Sequence, residues 1–257
     1  MKLAEVKARG QALYALNCYL PFSRWARAWR MRLRAARGVQ NRHEQATRLP
    51  QASWFDLITP RAIRLVETPK ANGNVRLSEL GVLAQAAAAM RPESEVIEIG
   101  TFDGRTTLNL AINAPPTCPV FTLDLPPDQP TQFPLDRGER HFVDKPIPGA
   151  RYRNCVEPWA AGAARIVQLL GDSAAFDWTA HRGRAGLVFV DGSHAHAYAL
   201  KDSETAFQLV APRGMVIWHD YGVWEGVTRA LEELEAGRNL GLRHIEGTSL
   251  VFWRRQG

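Results

Sequence analysis

Five stretches of this 257-residue chain place a carboxylate, a glycine or an imidazole directly after a run of apolar, strand-favouring residues. Glu98-Ile-Gly100-Thr101-Phe102-Asp-Gly104 closes the first. Asp124 follows the second, Gly171-Asp172-Ser173 the third, Asp191-Gly-Ser-His194 the fourth and His219-Asp220-Tyr221 the fifth. Two glycines let a turn approach a ligand closely, and a helix opening behind them offers free N–H groups. Their G-x-x-x-G spacing differs from the G-x-G-x-x-G of dinucleotide sites, which counts against a nicotinamide or flavin oxidoreductase. Asp124 is placed to accept from paired ribose hydroxyls, or it caps a turn. Asp172 with Ser173 is placed to meet an exocyclic amine, or it is a helix N-cap. His194 and His219 are rival proton acceptors near neutral pH, and Asp220 can orient either ring. The plain alternative for His194 is a solvated residue at a helix start; His196 and Tyr198 read as surface or pocket wall.

Elements that alternate must position these residues. Strands are expected at Glu95–Ile99, Val120–Leu123, Ile166–Leu170, Gly186–Val190 and Met215–Trp218. Helices are expected at Leu77–Met90 (capped by Ser78), Thr106–Asn113, Ala195–Val210 and Val223–Ala236. The chain ends in a hairpin, Leu242–Ile245 and Ser249–Trp253. Strands alternating with helices predict a Rossmann-like, doubly wound α/β fold: a mostly parallel seven-stranded sheet with a C-terminal antiparallel hairpin. Ligands of such sheets bind beyond the carboxyl ends of the strands, where the five stretches fall. Residues 126–158 hold seven of the sixteen prolines and read as a lid or substrate loop, or else as a solvated loop.

Composition divides the chain. Residues 1–50 carry eleven of the 32 Lys/Arg and two of the 26 Asp/Glu, leaving the remainder with 21 basic against 24 acidic groups. Phe22 to Arg37 fits a basic amphipathic helix with Trp25 and Trp29 on its apolar side, so residues 1–50 are expected as a helical extension able to lie on an anionic membrane surface through residues 22–37, or to pack on a partner. Residues 51–76 read as a linker and 77–257 as the main domain. One basic helix face on an acidic body disfavours nucleic acid. Three scattered cysteines make neither a disulfide framework nor a zinc site and suit a reducing cytoplasm.

The segments Val96-Ile-Glu-Ile-Gly-Thr-Phe-Asp-Gly-Arg-Thr-Thr107, Gly171-Asp-Ser173, Leu187-Val-Phe-Val-Asp-Gly-Ser-His194, Arg213-Gly-Met-Val-Ile-Trp-His-Asp-Tyr221 and Glu246-Gly-Thr-Ser-Leu-Val-Phe-Trp253 resemble the class I S-adenosylmethionine-dependent methyltransferases. Within that class the resemblance is to the small-molecule O-methyltransferase-like group that includes catechol and macrocin-type sugar methyltransferases. It runs from Leu77 to Arg255. It implies that the turn of Glu98, Gly100, Thr101, Phe102 and Gly104 cradles the methionine part of S-adenosylmethionine, that Asp124 holds the ribose, and that Asp172 and Ser173 flank the adenine, with Asp191 closing the site. Metal-dependent members imply Mg2+ at Asp191 and Asp220, although His219 stands where they have a carboxylate. The expected reaction is O-methylation of a small-molecule, sugar or glycan hydroxyl, with His194 or His219 removing the proton. A homodimer is expected, as is a cytoplasmic enzyme with peripheral membrane contact. A non-catalytic cofactor-binding scaffold is the alternative.

Overall fold

The computed structural model describes residues 46–66, 75–136, 138–144, 148–156 and 158–257. The chain divides into two compact units, residues 1–44 and 45–257. The expected helix at residues 22–37 lies outside the described residues, and the sheet with its covering helices belongs to the second unit.

Eight strands form one sheet: β1 (Gln51–Ala52), β2 (Glu95–Ile99), β3 (Val120–Asp124), β4 (Ile166–Leu170), β5 (Ala185–Val190), β6 (Val210–Trp218), β7 (Arg243–Ile245) and β8 (Val251–Arg254). Their order is β1-β7-β8-β6-β5-β2-β3-β4. Strands β2 to β6 pair in parallel, and β8 pairs antiparallel with both β6 and β7. Four long helices cover it: α1 (Leu77–Ala88), α2 (Arg105–Asn113), α3 (His196–Leu209) and α4 (Glu225–Arg238).

The period-two alternation of strands sorts the core into two layers. Ile97, Ile99, Val188, Val190, Val216 and Trp218 face one side and meet Ala199, Ala206 and Leu209 of α3 with Val227, Ala230, Leu231 and Leu234 of α4. Val96, Val120, Leu187, Phe189, Met215 and Ile217 face the other and meet Leu80, Leu83 and Ala87 of α1 with Leu110 and Ala111 of α2. Buried on both faces, the central strands read as continuous apolar runs, which is why their sequence signal is strong.

Three expectations need correction. The sheet has an eighth strand, β1, in the stretch expected as linker. Gln51 and Ala52 pair in parallel with β7, too few residues to show any period. Around it Arg48 and Leu49 donate their main-chain N–H groups to the Tyr221 hydroxyl at 2.9 and 3.0 Å, and Ile58 is fully buried. Ser78 does not cap α1. The N-cap is Arg76, whose N–H is accepted by Glu79 at 2.7 Å, so Ser78 falls inside the first turn. Finally, β6 begins five residues before the expected Met215.

The stretch 61–66 has no regular secondary structure and is bracketed by side-chain amides. Gln85, Asn113 and Asn109 each accept a main-chain N–H and return an amide N–H to the same residue, at Arg61, Arg64 and Val66 respectively. These brackets satisfy backbone groups that no strand serves. No helix among the described residues is long and apolar enough to cross a membrane.

Candidate active site

The strand ends interlock through main-chain bonds: Gly100 N–H to Leu123 O at 2.8 Å, Asp191 N–H to Ile99 O at 2.8 Å, Gly171 N–H to Asp124 O at 3.0 Å and His219 N–H to Val190 O at 3.0 Å. Gly100 has φ +100°, and a Cβ there would fall on the Asp191 peptide group, 2.6 Å from its carbonyl carbon. Only glycine fits where the ends of β2 and β5 meet. Gly104, at φ +83°, opens α2 as its N-cap, and a Cβ there would come within 2.6 Å of the Tyr152 ring.

Beyond these ends lies a cavity of about 150 Å³. Its walls include Gly100, Thr101, Phe102, Asp124, Asp172, Ser173, Asp191, His194 and Asp220, so the structure brings together most of the residues singled out from the sequence. Three do not line it. Gly104 stands outside, as the helix cap. Glu98 lies beneath the turn, where its Oε2 accepts from the Thr122 hydroxyl at 2.6 Å and from the Thr107 hydroxyl. Burial pushes its carboxyl up to about 8 despite these bonds. Through these bonds it ties the end of β2 to β3 and α2. His219 lies under the floor.

Asp124 closes β3, and its Oδ1 accepts from the Leu125 N–H at 3.0 Å. Asp172 takes the capping role weighed for it, at a turn rather than at a helix. Oδ1 caps the turn through the Ala174 N–H at 3.1 Å and accepts from the Tyr198 hydroxyl at 2.8 Å, while Oδ2 accepts the Gln132 N–H at 2.6 Å. Tyr198 is therefore a buried wall residue. His196 faces away, 2.7 Å from Glu233 on the surface.

The other end of the cavity is a network of imidazoles and carboxylates. His194 Nε2 lies 2.7 Å from Asp220 Oδ2, its Nδ1 meets Glu139 Oε1, and its ring stacks on Trp224 at 4.1 Å. Burial lowers its basicity, but the hydrogen bonds and charges of Asp220 and Glu139 outweigh that and lift it to about 9. His219 Nδ1 lies 3.0 Å from Asp191 and 3.3 Å from Asp220, and its Nε2 lies 3.3 Å from Glu79. Burial disfavours the charged ring there too, yet the charges of Asp220 and Asp191 hold it well above its ordinary value. The surrounding carboxylates thus favour the protonated ring, and His219 is not among the residues that line the cavity. Glu79 answers it: burial raises this carboxyl, but His219 and the N–H groups of Arg76 and Ser249 bring it down to about 2. Asp220, at φ +67°, adopts the left-handed backbone that a non-glycine residue takes up at strained functional positions.

Asp191, His219 and Asp220 offer three donor atoms within 4.8 Å of one another. As arranged they do not fit Mg2+, which prefers a shell of oxygens. One donor is an imidazole nitrogen, and Asp220 Oδ2 already lies 2.7 and 3.3 Å from ring nitrogens of His194 and His219.

Two further members of the network, Glu139 and Glu79, escape sequence reasoning. Glu79 has a signal, its place three residues after the N-cap, where a Glu reaches back to the cap N–H. Glu139 has none: it sits in the proline-rich insert, 55 residues from the histidine that it meets.

Residues 97–221 match the model of a methyltransferase-domain family. No curated protein sequence matches the chain. Among solved structures it is similar to the O-methyltransferase NovP, at 16% identity over 73% of this chain and 84% of that one, with a TM-score of 0.51. It is also similar to a protein from Corynebacterium glutamicum, at 13% identity over 72% and 83%, with a TM-score of 0.52.

Proposed function

We propose that this chain, a member of the methyltransferase-domain family on the class I fold, transfers the methyl group of S-adenosylmethionine to a hydroxyl oxygen of a small molecule. The observation that carries the reading is the cavity itself, in which a side-chain-free turn at Gly100 and the carboxylates Asp124 and Asp172 stand at one end and the His194 pair at the other. These residues fit the cofactor. The Gly100–Phe102 turn leaves room for the methionine portion, Asp124 is an acceptor for ribose hydroxyls, and Asp172 with Ser173 borders the adenine. The sulfonium supplies an activated methyl group, so the protein's task is to align an oxygen with it and to remove a proton.

His194 is the group for that proton. A base held at about 9 is matched to an acceptor hydroxyl of similar acidity, and the methyl-transfer rate should rise with pH up to that value. Leu135, Phe142 and Val143 of the insert form an apolar wall for the acceptor's carbon frame. A sugar or glycan acceptor, a homodimer and membrane contact through residues 22–37 are further proposals, tested by acceptor screening, by oligomeric state in solution and by liposome co-sedimentation.

The first test is thermal unfolding with S-adenosylmethionine or its demethylated product. Ligand at about 100 times its Kd stabilises by about 2.7 kcal/mol, roughly 5–11 °C for a chain of this size. The shift should vanish in Asp124→Ala and should not appear with NADH. No shift in the intact protein at saturating ligand would overturn the reading.

A further inference from the structure

The two edges of the sheet are unlike. At one, β1 is two residues long and offers little main chain to pair with. At the other, β4 runs for five residues, Ile166-Val-Gln-Leu-Leu170, with no charge, no proline and no break in register. Lysines, prolines and bulges are what discourage further pairing at a sheet edge, and β4 has none of them. Its register fixes the direction of its main-chain groups. The Val120 N–H donates to Arg165 O and the Gly171 N–H donates to Asp124 O, both at 3.0 Å, so residues 165, 167, 169 and 171 face β3. By alternation the N–H and C=O groups of Ile166, Gln168 and Leu170 point away from the sheet. No strand among the described residues pairs with that side. The side chains there are apolar and open, with Val167 43% and Leu170 53% exposed.

We propose that the β4 edge is a homodimer interface, at which two copies of this chain pair antiparallel about a two-fold axis at Gln168 and join their sheets into one. The strand's own sequence selects a second copy as the occupant. In that register Ile166 stands opposite Leu170 of the second copy, Gln168 opposite Gln168, and Leu170 opposite Ile166. Each is a hydrogen-bonded pair in which both residues donate, giving about six main-chain bonds. Val167 meets Leu169 of the second copy in the closer, non-hydrogen-bonded position, so every pair but the central one sets apolar against apolar. No other register keeps all five residues of both strands paired. The Gln168 side chain is already satisfied within its own copy, where it donates to the Thr101 hydroxyl at 3.0 Å and to Thr122 O at 2.9 Å. Because β4 leads into Gly171–Ser173 of the cavity wall, the joined sheet would carry both cavities. This inference does not depend on the methyl-transfer reading.

The test is sedimentation equilibrium with residue-resolved amide hydrogen exchange on the full-length chain. The wild type should sediment at twice the 28.7 kDa of one chain. Its Ile166, Gln168 and Leu170 amides should exchange as slowly as those of Val167 and Leu169. Val167→Lys sets a charge against the apolar Leu169 of the second copy and should weaken association at least about tenfold. Diluted to the monomer, this variant should exchange quickly at residues 166, 168 and 170 and slowly at 167 and 169, which stay bonded to β3. The slow pair reports that the variant is folded, and the alternation is specific to loss of an edge partner. Leu170→Lys, opposite Ile166 of the second copy, is the second variant and should behave alike. A wild type that stays monomeric at its highest soluble concentration would overturn the proposal, and slow outward amides in that monomer would show a segment of the same chain on the edge. A dimer that persists undiminished in both folded variants, or one whose outward amides exchange as fast as in the monomer, would overturn it too by placing the contact elsewhere.

Discussion

The two ends of the cavity are built by different means. At the cofactor end each residue follows its own strand, and neighbouring strand ends are tied by main-chain bonds such as Gly100 N–H to Leu123 O and Asp191 N–H to Ile99 O. At the acid–base end the partners come from remote stretches: Glu79 lies 140 residues from His219, and Glu139 lies 55 from His194. One end is a product of backbone shape, and the other is a balance of buried charge. The first should break when atoms are added, and the second when charges are removed.

Adding one methyl group at Gly100 gives the largest expected effect. Gly100→Ala would drive a Cβ into the Asp191 peptide group at a φ of +100°, and neither neighbour is a side chain that can swing away. We expect a loss of more than about 4 kcal/mol, in the range where few single substitutions fall, seen as failure to fold or as an early urea midpoint. Gly237→Ala, with open space around it in α4, is the control and should be neutral or gain up to about 1 kcal/mol.

Removing one charge at the other end comes next. His219→Asn leaves Asp191, Asp220 and Glu79 without their shared cation, and the loss of one partner from such a buried set costs about 3–5 kcal/mol. The sign with pH follows from the raised value of His219. Its stabilisation is complete below about 6.5, its unfolded value, and fades as pH rises through the folded one. The deficit of the variant, measured by urea unfolding, should therefore be widest at pH 6 and shrink only as pH climbs through the folded value. A deficit that grows from pH 6 to pH 8 would mean that packing, and not charge, holds this end together.

Asp202 separates the two mechanisms in another way, because it is a buried carboxyl whose burial outweighs the charge of Lys201 and a bond from Ser173. It lies at 0% exposure near the Gly192 backbone, and burial lifts it to about 7. A raised carboxyl penalises folding, and the penalty is absent below pH 4, its unfolded value, and complete above 7. Its ceiling is about 4 kcal/mol at 1.36 per unit, and burial of an amide takes back part of this. Asp202→Asn should thus gain about 1–3 kcal/mol at pH 8 and almost nothing at pH 4.

The same contrast explains what could be read from the sequence. The strands β2 to β6, the four long helices and the hairpin follow from apolar runs and 3.6-residue periodicity, and the strand-end rule then locates Gly100, Asp124, Asp172 and Asp191 without further help. Local pattern carries local structure. The two-residue β1 has no pattern to carry. The opposite fates of His194 and His219, four residues and one residue past their strands, depend on which carboxylates reach them from Glu139 and Glu79. Spacing marks both rings as candidates, but only the tertiary fold decides that one lines the cavity and the other is sealed beneath it.

The smallest effects give the finest comparison, through two hydroxyls that each donate to a carboxylate. Tyr198 donates to Asp172 at the cofactor end, and Ser193 donates to Glu139 at the other. Tyr198→Phe and Ser193→Ala each delete one such bond, worth about 1 kcal/mol to stability. Asp172 keeps the N–H groups of Ala174 and Gln132, so its place in the wall should hold and cofactor affinity should change by less than about threefold. Glu139 keeps the Asp136 and His194 N–H groups, so Ser193→Ala should likewise leave it in place beside His194. Equal and modest costs at both ends would show that each carboxylate is held redundantly. A loss above about 2 kcal/mol in Ser193→Ala alone would instead make the end at His194 the more finely poised of the two, with the Ser193 hydroxyl a bond that the two N–H groups cannot replace.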